Sequence, residues 1–388
     1  MIIQSILDTD LYKFTTSYAY MKLYPDAEGT FTFNDRDNTE YTEEFLQELK
    51  RAFCEMSNLY LVTKEFEWVC EHIRFIPQVY WEWLKSFRYD FKYLEVYLDA
   101  EKHLHIEVTD KLYKVTLYEV PILAVVSHLR NKMLGNACNI DEVINRLVPK
   151  VALSNLEQLK FSEFGTRRRF SFAVQDAVVS YLSKHAMYCT GTSNVYLAKK
   201  YGIKAMGTHP HEWFMFHGAV FGYKQANYLS LEDWVSVYDG DLGIALSDTY
   251  TTNVFLKNFS RKHAKLFDGV RHDSGDPFSF VMKVINRYKE LGIDPTTKTI
   301  IFSNALTFPE YKEIRDYCGN RIRCSAGIGT NLTNDCGFKP SNIVMKLSKC
   351  RINANQPEYT CVKLSDDYGK HMGNNDEVIA CKYACGII

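Results

Sequence analysis

The second half of the sequence predicts an α/β fold with a parallel sheet, either open or closed into a barrel. Two observations carry this expectation. After about residue 165, short apolar runs alternate with stretches of helical periodicity, at the spacing of βα units. Each apolar run also ends in a polar or glycine-rich segment, where ligands gather in parallel α/β folds.

The expected strands in this half are Ile203–Met206, Leu242–Leu246, Gly269–Val270, Ile300–Phe302 and Ile322–Cys324. Helices are expected over Phe170 to Ser183 and Ser193 to Tyr201. The first third lacks this rhythm and reads as mixed α+β. There, Leu11, Phe14, Tyr18 and Met21 recur at helical spacing, Thr30 to Phe33 alternates as a strand, and Tyr41 to Phe53 is helical. Val96/Leu98 and Leu104/Ile106/Val108 read as two strands around a polar turn. Residues 111–130 read as a strand followed by a helix after Pro121, and 342–347 and 359–364 as strands of the tail. These patterns divide the chain into an N-terminal domain, 1–130, joined by 342–388, and a second domain, 131–341.

The 388 residues are ample for two domains with sizeable cores. A formal net charge of -1 argues against a nucleic-acid partner held by a broad basic surface. Eleven cysteines without any C-x-x-C pair are expected to be reduced, mostly buried thiols. Met1-Ile2-Ile3-Gln4 has no basic n-region or long apolar stretch, and no run is expected to approach bilayer-spanning length, so a cytoplasmic location is expected.

Chemistry concentrates in the segments after the strands. In Gly207-Thr208-His209-Pro210-His211, Thr208 is expected to cap a helix with Pro210 in its first turn. His211 at a helix N-terminus would suit an anion, including a phosphoryl group on its own imidazole. A structural histidine and a metal site shared with His209 remain open alternatives. Arg271-His272-Asp273-Ser274-Gly275-Asp276-Pro277 offers oxygen acceptors for Mg²⁺ or ribose hydroxyls and a guanidinium for a carboxylate, while Asp276 caps the next helix. Asp248 follows an earlier strand, and Ser303 and Asn304 add a hydroxyl and an amide at another strand end. Gly327 and Gly329 let backbone N–H groups approach a phosphate, with Thr330 beside them. Arg167, Arg168 and Arg169 are either a solvated charge run or an anion site, of which at most two could face one ligand.

Eight segments in register resemble the nicotinate phosphoribosyltransferase family: LDTDLYK at 7–13, EFGTRRRFS at 163–171, GTSN at 191–194, GTHPHEWF at 207–214, LGIALSDT at 242–249, GVRHDSGDP at 269–277, GIGTNLT at 327–333 and KLSD at 363–366. The resemblance implies a type II phosphoribosyltransferase fold, an irregular α/β barrel with an α+β sandwich-like N-terminal domain, usually as a homodimer. It implies synthesis of nicotinate mononucleotide from nicotinate and phosphoribosyl diphosphate, with diphosphate released and ATP hydrolysed in the presence of Mg²⁺. By the same resemblance His211 is phosphorylated by ATP, and Tyr12, Thr208 and Arg271 contact nicotinate. Thr330 contacts the phosphoribosyl substrate, with Arg167 and Arg169, Asp248, Asp273, Ser274, Ser303, Asn304, Gly327 and Gly329 completing the expected site. Pro210 stands where the family pattern has a small residue. The metal ligands themselves are not specified by the resemblance.

Overall fold

The structure is a computed structural model that describes residues 1–207, 209–367 and 371–388. It forms two compact units. The first comprises Met1–Tyr18, Thr30–Gly207 and Ile328–Lys346; the second comprises Ala19–Gly29, Thr208–Gly327 and Leu347–Ile388. The cut differs from the division at residue 130, because 131–207 pack with the N-terminal unit.

Among the described residues eleven strands run in chain order: β1 Glu28–Asp35, β2 Leu94–Leu98, β3 Leu104–Lys111, β4 Phe161–Glu163, β5 Cys189–Thr192, β6 Ile244–Leu246, β7 Gly269–His272, β8 Thr299–Phe302, β9 Arg323–Ile328, β10 Ile343–Arg351 and β11 Tyr359–Thr360. In the first unit β2 and β3 pair antiparallel, Leu94 opposite Val108 and Leu98 opposite Leu104. Leu104, Ile106 and Val108 alternate into the core as their spacing predicts. The helix Glu43–Met56 starts at Thr42, whose hydroxyl accepts from the Phe45 N–H, and buries Phe45, Leu46, Leu49 and Phe53.

Several expectations need correction. Residues 112–133 hold no strand: short helical turns over Leu112–Tyr118 lead into a helix over Glu119–Met133. Pro121 lies in its first turn, where the missing N–H is not required. The helix expected after Pro121 is therefore present, starts at Glu119 and is buried almost all round, with Val120, Ile122, Leu123, Val125 and Val126 fully buried. Leu112–Met133 is long and apolar enough to match a membrane span, contrary to expectation, but 83% of that window is buried inside the protein, as in a core helix. Ile203–Met206 contributes one bridge, Ala205 to Thr192, in place of a strand. The strand expected at 359–364 is reduced to Tyr359–Thr360.

The second unit carries the predicted parallel sheet, in the order β9-β8-β7-β6. Ala245 pairs with Val270, Val270 with Ile300 and Ile300 with Cys324, with no shift of register. Ala245, Val270, Ile300 and Ala326 are essentially solvent-free, and a fully buried Val or Ile contributes about 1.5–3 kcal/mol. Gly269 begins β7 because a Cβ there would lie 1.9 Å from the Thr299 carbonyl oxygen. The unshifted register brings the ends of all four strands to one edge. The helix after β7, Pro277–Glu290, starts as predicted: Asp276 accepts from the Ser279 N–H at 2.7 Å, with Pro277 first.

Arg169 in the first unit, expected in the site, is turned inward and fully buried. Its guanidinium forks onto Asp8, Nη1 to Oδ1 at 2.6 Å and Nη2 to Oδ2 at 2.9 Å, and both side chains are fully buried. Nη1 also donates to Gln175 Oε1 at 3.0 Å, and the Gln175 amide donates to Glu163. The EFGTRRRFS segment thus supplies a buried polar core as well as a charge run. Removing one partner of such a pair strands the other charge, so Asp8→Ala is expected to cost about 3–5 kcal/mol in urea unfolding. An unchanged midpoint would show that the pair does not hold the first unit together.

Candidate functional site

The site is built at the strand ends of the second unit. The helix His211–Phe221 begins two residues later than the sequence suggests: Pro210 is the N-cap, at φ -94°, and His211 is the first helical residue. Thr208, the expected cap, lies outside the described residues. Proline has no side-chain acceptor, so the first-turn N–H groups have no side-chain cap, and the positive end of the helix dipole is left facing the loop. The first two turns, His211 to Gly218, are buried throughout, which fixes the helix and the ring at its start.

Both ring nitrogens of His211 are engaged. Nδ1 lies 3.0 Å from Thr249 Oγ1. Nε2 lies 3.0 Å from Asp273 Oδ2 and 3.0 Å from Lys363 Nζ, with Asp248 Oδ1 at 3.7 Å. Burial first, and then the Lys363 ammonium, lower the imidazole to about 4, against the pull of Asp248 and Asp273. The ring is therefore neutral at physiological pH and keeps a nitrogen lone pair, as a nucleophile must.

The carboxylates are anchored from the neighbouring strand ends. Ser303, after β8, donates to Asp273 Oδ1 at 2.6 Å. Ser274 donates to Asp248 Oδ2 at 2.6 Å and accepts from the Asp366 N–H at 3.0 Å. Burial acts to raise Asp273, but Arg271 and His211 outweigh it and hold the carboxyl well below its usual range. About a quarter of the Asp273 side chain reaches solvent, whereas Asp248 is fully buried and its Oδ1 has no hydrogen-bond partner among the described residues. Arg271 Nε is buried and likewise without one. One nitrogen of His211 and one oxygen each of Asp248 and Asp273 lie within 4.8 Å of one another, a donor set that fits a divalent cation.

Sequence reasoning passed over Lys363 as a site residue, although it opens the KLSD segment. That segment is strapped across the loop after β6. The Leu364 N–H donates to the Thr249 carbonyl at 2.8 Å, and Asp366 accepts from the Thr252 N–H at 3.0 Å. Both sides of this strap are strained: Thr251 has φ 73° and Ser365 φ 66°. A β-branched residue in the left-handed region costs about 1–3 kcal/mol and persists only where its surroundings enforce it. Gly275, at φ 80°, relieves the same crowding opposite, where a Cβ would stand 3.0 Å from Asp366 Cβ.

The structure thus brings together His211, Asp248, Asp273, Ser274 and Ser303, with Arg271 on the adjacent strand. Asn304 follows Ser303 and is half-buried. Gly327 belongs to β9, which runs on through Ile328 instead of stopping at Cys324, so the glycine loop is shorter than its sequence suggests. Tyr12, Arg167, Gly329 and Thr330 belong to the first unit. There Tyr12 is half-buried near the start of the helix Leu11–Leu23, Arg167 faces Glu119 at 3.8 Å, and Gly329 caps the short helix Thr330–Thr333. The alternative of a metal held by both His209 and His211 does not assemble. His209 is fully buried against Phe214, Trp234 and Phe267, outside the His211–Asp248–Asp273 group.

Strand-end loops that gather opposite charges around an uncapped helix start give an α/β fold with the charged strand-end cluster of an enzyme. Comparison with known proteins makes this specific. Residues 159–384 match the nicotinate phosphoribosyltransferase family and residues 7–127 match its N-terminal domain. A nicotinate phosphoribosyltransferase of Desulforapulum autotrophicum is 42% identical over 382 residues, 98% of each chain. The crystal structure of a nicotinate phosphoribosyltransferase from Porphyromonas gingivalis superposes with TM-score 0.97 at 49% identity, covering 99% of this chain and 100% of that one. One from Vibrio cholerae gives TM-score 0.92 at 31% identity, over 99% and 94%. The chain belongs to the nicotinate phosphoribosyltransferase family. Its fold class is that of the family, an irregular α/β barrel with a sandwich-like N-terminal domain.

A histidine lowered to about 4 from its ordinary value of about 6.5 binds fewer protons folded than unfolded. Its contribution to stability is therefore intact above about pH 6.5 and is lost as pH falls toward 4. In histidine-selective NMR the His211 ring is expected to stay neutral from roughly pH 6 to 8. Lys363→Gln is expected to move its midpoint upward. A wild-type midpoint near 6.5, unmoved by that substitution, would contradict the electrostatic role assigned to Lys363.

Proposed function

We propose that this chain joins nicotinate to phosphoribosyl diphosphate, forming nicotinate mononucleotide and releasing diphosphate, with ATP hydrolysis coupled through transient phosphorylation of His211. Family membership over the whole chain supports the transfer reaction. The observation that carries the coupling is the buried, neutral His211 ring at an uncapped helix N-terminus, with Lys363 3.0 Å from Nε2.

In the coupling step an imidazole nitrogen of His211 attacks the γ-phosphorus of ATP and ADP leaves; water later releases phosphate. The helix start and Lys363 offset the added negative charge, while Thr249 orients the ring through Nδ1. The phosphoryl group does not enter the nucleotide. Its role is to bias the protein toward a state that binds both substrates tightly.

In the transfer step the pyridine nitrogen of nicotinate attacks the anomeric carbon as the bond to diphosphate breaks, through an oxocarbenium-like transition state. Arg271, whose buried Nε has no partner among the described residues, pairs with the nicotinate carboxylate. Nicotinamide lacks that anion and binds less well. Tyr12 and Thr208 are assigned to nicotinate and Thr330 to the phosphoribosyl group, on the family pattern alone. Asp273, held by Ser303, orients the ribose hydroxyls. Asp248 and Asp273 would hold Mg²⁺, which supplies charge neutralisation for the phosphates when bound. The near-neutral net charge of -1 fits small anionic substrates better than nucleic acid. A homodimer in the cytoplasm is proposed on the family resemblance.

Incubation with γ-labelled ATP is expected to place acid-labile phosphate on His211. His211→Ala should lose both the label and the stimulation by ATP while retaining slow, uncoupled transfer. Undiminished ATP dependence in that variant would overturn the coupling role. Arg271→Leu removes a charge-assisted pair worth about 2 kcal/mol, so nicotinate binding should weaken about thirtyfold while nicotinamide binding barely changes. Equal losses for both ligands would separate Arg271 from carboxylate recognition.

A further inference from the structure

Cys138 and Cys336 are far apart in sequence and adjacent in the first unit. Their sulfurs are 2.7 Å apart, with the Cys138 thiol donating to Cys336 Sγ, and neither is in a disulfide. That separation is inside the ordinary contact distance of two sulfurs and about 0.7 Å longer than a disulfide bond. Their surroundings hold the pair together from both sides. Cys138 immediately precedes Asn139, whose side chain caps the helix Ile140–Leu156 through the Asp141 N–H. Lys150 and Arg146 on that helix reach Asp335, beside Cys336, at 2.7 and 3.6 Å.

The two thiols are not equivalent. Cys138 is partly exposed and Cys336 is 8% exposed. Burial raises both thiols, Cys336 much the further, while Cys336 and Arg146 act to lower Cys138. An external reagent therefore meets Cys138 first. Cys350 and Cys361, 3.5 Å apart, make a useful contrast: both are 1% exposed, out of a reagent's reach.

We propose that Cys138 and Cys336 form a reversible redox site that closes to a disulfide when the protein meets a small-molecule disulfide such as oxidised glutathione. The Cys138 thiolate attacks one sulfur of the reagent, breaking its S–S bond and expelling one thiolate. The Cys336 thiolate then attacks Cys138 Sγ in the mixed disulfide and expels the second. Two cysteine protons are released, the protein pair is oxidised and the reagent is reduced to two thiols, so atoms and electrons balance.

Closure would fix the segment that follows β9 to the start of the helix Ile140–Leu156. That segment is already tethered at its other end. The Thr333 hydroxyl donates to the Gly165 carbonyl at 3.0 Å, and the Asn334 amide donates to the Arg168 carbonyl at 2.7 Å. A disulfide at Cys336 would thus tie down the chain just beyond Gly329 and Thr330. Both thiols are reduced here, and the burial that raises them slows attack without preventing it.

The full chain is treated with a graded series of oxidised to reduced glutathione, quenched by alkylation, and examined by intact mass and peptide mapping. The expected product has lost two hydrogens and yields a 138–336 cross-linked peptide that dithiothreitol removes, with Cys350 and Cys361 still alkylated after unfolding. In Cys336→Ser the reaction should stop at glutathione on Cys138, about tenfold more populated than in the wild type, because the internal thiol is at high effective concentration. Cys138→Ser should give neither product, and it supplies an independent reading if the other variant does not fold. A wild-type protein that holds glutathione on Cys138 without cross-linking, or that stays fully alkylatable at both positions across the series, would overturn the proposal.

Discussion

The unshifted parallel register from β6 to β9 is the constraint on which the rest of the site depends. A strand offset by one residue would turn its inward side chains outward and move its terminal loop out of line with the others. Because Leu246 pairs with Arg271, His272 with Phe302 and Phe302 with Ala326, the loops carrying Asp248, Asp273 and Ser303 leave the sheet at one level. Side chains from three loops can then meet across a few ångströms. Gly269 belongs to the same constraint, since the close approach of β7 to β8 leaves no room for a Cβ.

Charge within this cluster is balanced so that the histidine stays neutral while Asp273 stays ionised. Lys363 and burial keep the proton off His211, and Arg271 helps keep Asp273 deprotonated. A cation that abuts an imidazole would ordinarily be repelled only when the ring is protonated, so the arrangement penalises one protonation state without destabilising the other. The strained Thr251 and Ser365 are where the chain absorbs the geometry needed to bring Lys363 to the ring.

Much of this was legible in the sequence, and the failures have physical causes. The strands β6 to β9, the Asp276 cap and the strand-end placement of His211, Asp248, Asp273 and Ser303 all follow from local pattern, because each depends on neighbours within a few residues. Pattern placed the helix after Pro121 but read the residues before it as a strand, since the largely buried run from Leu112 to Val120 has no polar face to reveal a helical period. The direction of Arg169 was hidden for a different reason: its partner, Asp8, lies 161 positions away. Lys363 was missed likewise, at 152 positions from His211, although its KLSD segment was among the eight that carried the resemblance. The pairing of Cys138 with Cys336 is of the same kind.

That Lys363 comes from the tail of the chain bears on how the enzyme is made. The second unit draws on residues 19–29, 208–327 and 347–388, so it joins three separate stretches of the chain. During synthesis the β6–β9 sheet can be fully translated while the strap at 363–366 is still inside the ribosome. A nascent chain at that stage has His211 and its carboxylates but not the lysine that holds the ring neutral. The lysine beside His211 is therefore made after the sheet, so completion of the site waits on a segment translated later than the strands that carry the carboxylates.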